Sequence, residues 1–560
     1  MLLAANFEKY RVMSVNKLLL LVSLFIVLID NNAFWSTLWA ALGADPASHI
    51  VFMFSFMVFL LTLTLLLLSL FGFTRIIKPA VMVVLILSSV IAYFIDNMHV
   101  IFSVSMMQNV FETDVKEAGE LINAGMFLHI ALFGLLPALL VWFVKIDSES
   151  VAKELMSRTK MLSVMLLAAT LTVFWAYKDY SLVLRENRSI RYLVNPVYPV
   201  VSLVKYLKLK GKDNNRTITP LFQDAAKFSN VGANTRKDLL VIVVGETARA
   251  ENFSLNGYNR DTNPLLRKEN IINYSNVSSC GTATAESVPC MFSDLTKDNF
   301  STDKAKQREN MLDGFKHAGF DVLWRDNNSS CKGVCARVVS EDLLNLKVKD
   351  LCNDEECYDE ILLHRLDEYV NSLKNDAVIV LHQKGSHGPA YYKRYPEQFA
   401  KFTPECNVSS VHNCKQEDII NAYDNTILYS DYFLSKVIGF LKARSERFNT
   451  AMIYMSDHGE SLGENGIYLH GLPYMIAPEQ QTHVPFIVWL SDNTIKQKHI
   501  DTTCLRKNNQ LPYSHDNLLH SALGLMDVST MAYDESKDVI GACRASRLAR
   551  QSPLLPAGSS

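Results

Sequence analysis

The chain has 560 residues, 49% of them hydrophobic and 20% charged, and its formal net charge is -2. So even a balance excludes the basic footprint of a nucleic-acid-binding protein, and no nucleic-acid partner is expected. The informative composition is local: all 10 cysteines lie after residue 279, and every long apolar run lies before residue 178.

From the amino terminus, residues 50–73 and 121–144 contain no Asp, Glu, Lys or Arg. At about 1.5 Å of rise per residue, each is long enough as a helix to cross a hydrocarbon core of about 30 Å. Three further runs, 17–42, 79–95 and 161–177, are shorter or interrupted by polar residues such as Asp30, with charges flanking them where an interface would lie. Five transmembrane helices are therefore expected. Lys9, Arg11 and Lys17 open the first; Arg75 and Lys78 follow the second; Lys145, Lys153, Arg158 and Lys160 follow the fourth. These loops should face the cytoplasm. The other two loops, with Asp45 in one and Asp96, Glu112, Asp114, Lys116, Glu117 and Glu120 in the other, lack that positive bias. An odd number of spans starting inside delivers the rest of the chain outside, the oxidising side on which paired cysteines belong. A cleaved signal peptide is the rival for the first run, but no small-residue cleavage site follows it.

Residues 178–236 alternate apolar and basic positions (Arg185, Arg188, Arg191, Lys205, Lys208, Lys210) around Pro196 and Pro199, then turn polar at 211–216. This pattern suits short amphipathic helices lying on anionic membrane lipids, with a plain solvated linker as the alternative. Beyond it, apolar runs at 239–244, 378–381, 452–455 and 486–490 read as buried strands, and 308–318, 359–373 and 417–441 carry helical periodicity. Strands alternating with helices imply an α/β domain with a doubly wound, mostly parallel sheet, and its length suffices for one core. The tail 549–560 reads as disordered.

The chemistry sits just past the strand ends, where open α/β sheets form their ligand crevice. The first strand runs into Gly245-Glu246-Thr247-Ala248-Arg249. The strand at 378 is followed by His382 and the turn holding His387, and the strand at 452 ends in Ser456-Asp457-His458-Gly459-Glu460. In isolation each piece reads as a surface turn or a helix cap. Jointly they deliver O and N ligands to one rim, a set that suits zinc, with manganese the alternative. A nucleophile is offered by Cys280-Gly281-Thr282-Ala283-Thr284-Ala285-Glu286-Ser287-Val288-Pro289-Cys290, where a Gly-Thr-x-Thr turn precedes a short helix. The helix start can hold a phosphate, and a bound cation lowers a hydroxyl pKa. Spacing does not separate Thr282 from Thr284.

These motifs, with Asn252-Phe253-Ser254-Leu255-Asn256-Gly257-Tyr258-Asn259-Arg260-Asp261-Thr262-Asn263-Pro264 after Arg249 and Met291-Phe292-Ser293 after Cys290, resemble the lipid A phosphoethanolamine transferases of Gram-negative inner membranes, the family that includes the mobile colistin-resistance enzymes. The resemblance spans nearly the whole chain. It implies an alkaline-phosphatase/sulfatase-like fold behind five transmembrane helices: a transmembrane domain over 1–177, an interfacial linker over 178–236 and a periplasmic catalytic domain over 237–548. It further implies Thr284 as nucleophile, Glu246, Asp457, His458 and Thr284 as Zn2+ ligands, and His387 and His470 as histidines that face the transferred group or bind additional zinc. Asn328, Ser329 and Lys332 match substrate-phosphate contacts. Asn109, Thr113 and Glu117 recur every four residues, on one face of a helix. In the family, matching residues line the ethanolamine headgroup site, and Glu117 would meet the ammonium; without the family they read as a solvated loop face.

The function so implied is transfer of phosphoethanolamine from phosphatidylethanolamine to a lipid A phosphate through a phosphoethanolamine-threonine intermediate, by a monomer in the inner membrane. The added ammonium would weaken binding of cationic peptides such as polymyxins. Cysteine spacing suggests the pairs Cys280–Cys290, Cys331–Cys335, Cys352–Cys357 and Cys406–Cys414, leaving Cys504 with Cys543. Alternatives stay open at this point: another envelope acceptor (a core sugar, a glucan, a protein), a glycerophosphate polymerase of the lipoteichoic acid synthase type, or a catalytically silent membrane-anchored binding protein. A sulfatase would need Pro and Arg after its nucleophile, and Cys280-Gly281-Thr282-Ala283-Thr284 has neither.

Overall fold

A segment without charges in an apolar medium has to satisfy every backbone N–H and C=O internally, and a helix does so. The structure, a computed structural model, describes residues 12–42, 49–71, 76–112, 115–147, 150–211, 217–228, 236–353, 356–408 and 411–544; the tail 549–560 lies outside them. Its amino-terminal helices are α1 (Val15–Ile29), α2 (Asn32–Ala41), α3 (Ile50–Ser69) and α4 (Ile77–Met98). The short α5 (Val104–Glu112) and α6 (Val115–Glu120) follow. Next come α7 (Ala124–His129), a π-helical turn over Ile130–Leu135, α8 (Leu136–Phe143) and α9 (Val151–Trp175). Among the described residues α3, α4, the α7–α8 run and α9 are each long and apolar enough to span a membrane, and the α1–α2 pair, bent by 56°, makes a fifth candidate.

The first run is thus two helices rather than one, and side-chain amides explain the break. Asn31 Nδ2 donates to the carbonyls of Ile26 (2.9 Å) and Asn195 (2.8 Å), and Asn195 Nδ2 donates to those of Asp30 (3.0 Å) and Ser88 (2.8 Å). The Asp30 carbonyl left open by the bend is satisfied by Asn195, and that of Val27 by the Trp35 Nε1–H (2.7 Å), the condition under which a helix breaks at membrane depth. Within the π turn, Gly134 lies against Ser89 of α4, where an added Cβ would come within 3.2 Å of the serine Cβ. Past α9, α10 (Tyr177–Glu186) and α11 (Val197–Gly211) carry the apolar-basic pattern. Val201, Val204 and Leu207 of α11 are exposed beside its lysines.

The α/β part is built on a seven-stranded sheet of β1 (Lys237–Gly245), β2 (Ile271–Tyr274), β3 (Asp321–Asp326), β4 (Val339–Asp342), β5 (Ala377–His382), β6 (Phe448–Ser456) and β7 (Phe486–Leu490), in spatial order β2-β7-β6-β1-β5-β3-β4. β7 alone runs against its neighbours, pairing antiparallel with β6 and β2. The mostly parallel expectation holds, with that reversal making the sheet mixed. β1 shows why it lies at the centre: Leu240, Ile242 and Val244 feed one core, while Leu239, Val241 and Val243 feed the other. Alternate side chains point to opposite faces, so a continuous apolar run fits a strand covered on both sides.

Helices α12 (Thr284–Met291), α13 (Met311–His317) and α16 (Asp516–Leu525) contribute residues to the first core, and α14 (Leu366–Ser372) and α15 (Gln416–Lys442) to the second. The helical run expected over 359–373 is instead a 3-10 turn at Asp359–Leu363 followed by α14, interrupted where Arg365 adopts φ 55. Five disulfides join Cys280–Cys290, Cys331–Cys335, Cys352–Cys357, Cys406–Cys414 and Cys504–Cys543. By its contacts the chain forms two units: Met1–Met107 with Leu121–Gly211 and Asn465–Ile467, and Gln108–Glu120 with Lys212–Glu464 and Tyr468–Ser560.

Candidate active site

β1, β5 and β6 are adjacent and parallel, with Val244 opposite His382 and Gly245 opposite Ser456, so their carboxyl ends open on one rim. β1 hands the chain to Glu246 and β6 to Asp457 and His458, and all three side chains are buried. One ligand atom from each can be chosen so that all lie within 4.8 Å of one another. His458 Nε2 lies 3.4 Å from Glu246 Oε1 and 3.3 Å from Asp457 Oδ2. His458 Nδ1–H donates to the Gly459 carbonyl (2.9 Å), which leaves the Nε2 lone pair directed at the carboxylates.

The donor set fits a cation. Asp457 Oδ1 accepts the N–H groups of Thr247 (3.2 Å) and His458 (2.7 Å), yet its Oδ2 is buried without a hydrogen-bond partner. Burial and the adjacent Glu246 push the Asp457 carboxyl well above the usual range, and burial pushes the His458 imidazole well below its own. Two buried carboxylates and a bare imidazole nitrogen around one point lack a positive charge, and a tetrahedral divalent ion supplies it.

α12 presents the nucleophile candidate. Its first residue, Thr284, places Oγ1 3.1 and 3.3 Å from the two Glu246 oxygens and 3.4 Å from His458 Nε2. The Thr282 hydroxyl is committed elsewhere, donating to the Leu472 carbonyl at 2.6 Å. The pair that spacing left open is therefore separated by geometry: only Thr284 faces the buried cluster. Cys280–Cys290 closes the turn, and Ser287 Oγ accepts the Gly281 N–H at 3.1 Å.

The ring of His470 lies 4.4 Å from that of His458 and 5.5 Å from that of His387, so both further histidines stand at the cluster. Burial pulls the His470 imidazole down, but the Glu460 carboxylate, 3.4 Å from Nδ1, outweighs it and holds the ring above its ordinary value. Asn328 Nδ2 donates to Glu246 Oε2 (2.5 Å) and to the Gln383 carbonyl (3.0 Å), so its amide buttresses a ligand candidate. Lys332 Nζ donates to the backbone oxygen (2.7 Å) and hydroxyl (3.1 Å) of Ser329. Asn109 stands on α5, Thr113 lies outside the described residues, and Glu117 belongs to α6 with its side chain outside them.

Several supporting residues were not singled out from the sequence. Asp359 accepts the N–H groups of Lys384 (2.7 Å) and Gly385 (3.0 Å), shaping the turn that carries His387. Gly385, at φ +55, packs so closely on β1's end that an added Cβ would lie 2.6 Å from the Glu246 carbonyl. His515 accepts the Cys280 N–H at Nδ1 (3.1 Å) and donates from Nε2 to the Ser456 carbonyl (2.9 Å), bridging the nucleophile turn and β6. Burial pushes its pKa down to about 4. His382, which the sequence did place at its strand's end, lies 3.9 Å from Glu246 Oε2 and pairs on its other side with Asp326 at 3.2 Å.

Two family models match. One, described as phosphoethanolamine transferase EptA/EptB, covers residues 60–210; the other, described as sulfatase, covers residues 238–528. Phosphoethanolamine transferase EptA of Escherichia coli strain K12 is 40% identical over 528 residues, covering 94% of this chain and 96% of the relative. Phosphatidylethanolamine transferase Mcr-1 of Escherichia coli is 39% identical over 477 residues, covering 83% and 86%. Among solved structures, the integral membrane lipooligosaccharide phosphoethanolamine transferase A of Neisseria meningitidis superposes with a TM-score of 0.91 at 36% identity, over 96% of this chain and 100% of that one. Sequence and fold agree along nearly the whole chain, which belongs to the phosphoethanolamine transferase family, with an α/β unit of the sulfatase family.

Proposed function

We propose that the protein transfers phosphoethanolamine from phosphatidylethanolamine to a phosphate of lipid A, with Thr284 as nucleophile and a zinc ion held by Glu246, Asp457, His458 and Thr284. The observation that carries this reading is the Thr284 hydroxyl facing the buried Glu246–Asp457–His458 cluster while Thr282 is tied to Leu472. The donor follows the printed names of the Mcr relatives. The reading keeps the division into 1–177, 178–236 and 237–548, and places the α/β part in the periplasm of a Gram-negative cell.

Thr284 Oγ1 attacks the donor phosphorus, the bond from phosphorus to the diacylglycerol oxygen breaks, and phosphoethanolamine remains on the threonine. The Glu246 carboxylate, with oxygens 3.1 and 3.3 Å from Oγ1, is the group that takes the hydroxyl proton, because the one free lone pair of His458 Nε2 is directed at the ion site. Of the two outer histidines, His470 is the better proton donor to the leaving oxygen, because Glu460 favours its charged form. The acceptor phosphate then attacks from the opened side, His387 or His470 positions it, and Oγ1 is released. A bound zinc ion lowers the hydroxyl pKa and offsets charge on the phosphoryl oxygens.

Mass spectrometry of lipid A from cells making the intact chain and Thr284→Ala tests this. A phosphoethanolamine adduct, with polymyxin protection, is expected with the intact chain only. An adduct in both overturns the nucleophile. If lipid A is unmodified while the protein still releases diacylglycerol from phosphatidylethanolamine, the acceptor is another envelope component; if it does neither, the silent binding protein replaces this reading.

A further inference from the structure

We propose that Arg394 and Glu120 form a positioning pair that holds α6 in register with His387 and thereby sets the donor headgroup preference. The inference rests on the reading that Glu117 meets the ethanolamine ammonium. Arg394 is buried, and each of its three guanidinium nitrogens is engaged. Nε donates to the His387 carbonyl at 2.7 Å, Nη1 to both oxygens of Glu356 at 2.6 and 2.5 Å, and Nη2 to Glu120 Oε2 at 2.6 Å. Lys393 Nζ lies 3.6 Å from the other Glu120 oxygen. A guanidinium is planar with donors in a fixed fork, so three acceptors on one Arg are fixed relative to one another.

What those acceptors carry gives the network its consequence. His387 stands at the candidate active site, whereas Glu120 is the last residue of α6, a helix of 6 residues. So short a helix does not persist on its own propensity and takes its place from tertiary anchors. Glu117 stands three positions before Glu120 on the same short helix. The stretch Gln108–Glu120 also packs as part of the larger unit, together with Arg394. One buried cation therefore fixes the helix bearing the ammonium partner against the residue beside the phosphoryl group. Neither Arg394 nor Glu120 touches substrate on this account.

The test compares two donors in proteoliposomes holding the full chain: phosphatidylethanolamine and phosphatidylethanol, which has a hydrogen in place of the ammonium. Diacylglycerol release gives kcat/KM for each. In Glu120→Gln the preference for phosphatidylethanolamine is expected to fall about tenfold, the scale of one charge-assisted hydrogen bond, through a raised KM with kcat within about twofold. Arg394→Lys, which cannot reach all three acceptors, should move the ratio the same way. Glu356→Gln breaks the arm that leads away from α6 and should leave the ratio within about twofold of the wild type. Equal loss for both donors in Glu120→Gln, or an unchanged ratio, overturns the pair as a positioning device. A wild-type chain that does not prefer phosphatidylethanolamine overturns the headgroup reading itself, and this inference with it.

Discussion

At the scale of single residues, chemistry is separated from scaffold by where each polar atom is already committed. Thr282 and Thr284 are indistinguishable by spacing, and what tells them apart is the Leu472 carbonyl that holds the first and the Glu246 carboxylate that faces the second. Thr282→Val should keep transfer and cost about 1–2 kcal/mol of stability, since it leaves a buried carbonyl unpaired; loss of turnover equal to that of Thr284→Ala would show that the wrong hydroxyl has been chosen. His515 carries a second consequence. Its folded pKa of about 4 lies below the ordinary 6.5, so the unfolded chain takes up the proton first. Above about pH 6.5 the residue imposes no penalty, and the penalty grows as pH falls through the window and is complete near pH 4. Between pH 7 and 4 the wild type should lose up to about 3 kcal/mol relative to His515→Gln, whose amide can serve both hydrogen bonds without titrating. Denaturant melts of both proteins across that range check it, and parallel pH curves would refute it. Glu246, Asp457 and His458 are legible in the sequence because each ends an apolar run. His515 and Arg394 are not, because their partners Cys280 and Glu120 lie 235 and 274 positions away and no local pattern marks them.

At the scale of elements, legibility follows burial. The runs at 239–244, 378–381, 452–455 and 486–490 are uniformly apolar and are strands β1, β5, β6 and β7. β3 hides because its sequence, DVLWRD, puts Arg325 and Asp326 inside a strand: the guanidinium donates to Glu341 and to the carbonyls of Leu362 and His364, while Asp326 accepts from Trp324. β4, VSED, is mostly exposed at the sheet edge and shows no apolar face. The turn after β5 depends on a property no periodicity reveals, which is the absence of a side chain. Gly385→Ala adds a Cβ at 2.6 Å from the Glu246 carbonyl in a backbone conformation that favours glycine. The turn must move, taking the Ser386 N–H off the Glu246 carbonyl (3.0 Å) and His387 off the cluster. Activity should fall by at least about tenfold for a misplacement near 1 Å, while the disulfides and the helical circular dichroism stay as they are. Full activity in Gly385→Ala would mean the turn is not fixed by this contact.

For the molecule as a whole, the partition read from the sequence is also a partition of what holds each part together. The amino-terminal helices rely on apolar contacts and on a few side-chain amide bonds such as those of Asn31 and Asn195, whereas the α/β unit surrounds two apposed carboxylates with its core. Without a cation, Glu246 and Asp457 oppose each other in a buried site, a cost that binding of a divalent ion removes. Anything that binds only the folded state stabilises it by mass action, by about 2.7 kcal/mol at a hundredfold excess over its dissociation constant. Chelation should therefore lower the thermal midpoint of the α/β unit by a few degrees, and zinc should restore it, while the helical signal of the membrane segments is unchanged. Asp457→Asn separates the ion from generic stabilisation. With one of the two opposed charges gone, the metal-free variant should melt above the metal-free wild type, yet zinc should shift it little. A variant that melts below the metal-free wild type, or that responds to zinc as the wild type does, would show that Asp457 is neither the strained carboxylate nor a ligand. Because hydrogen exchange or calorimetry in bilayers follows each unit's transition separately, this outcome stands whichever lipid proves to be the acceptor.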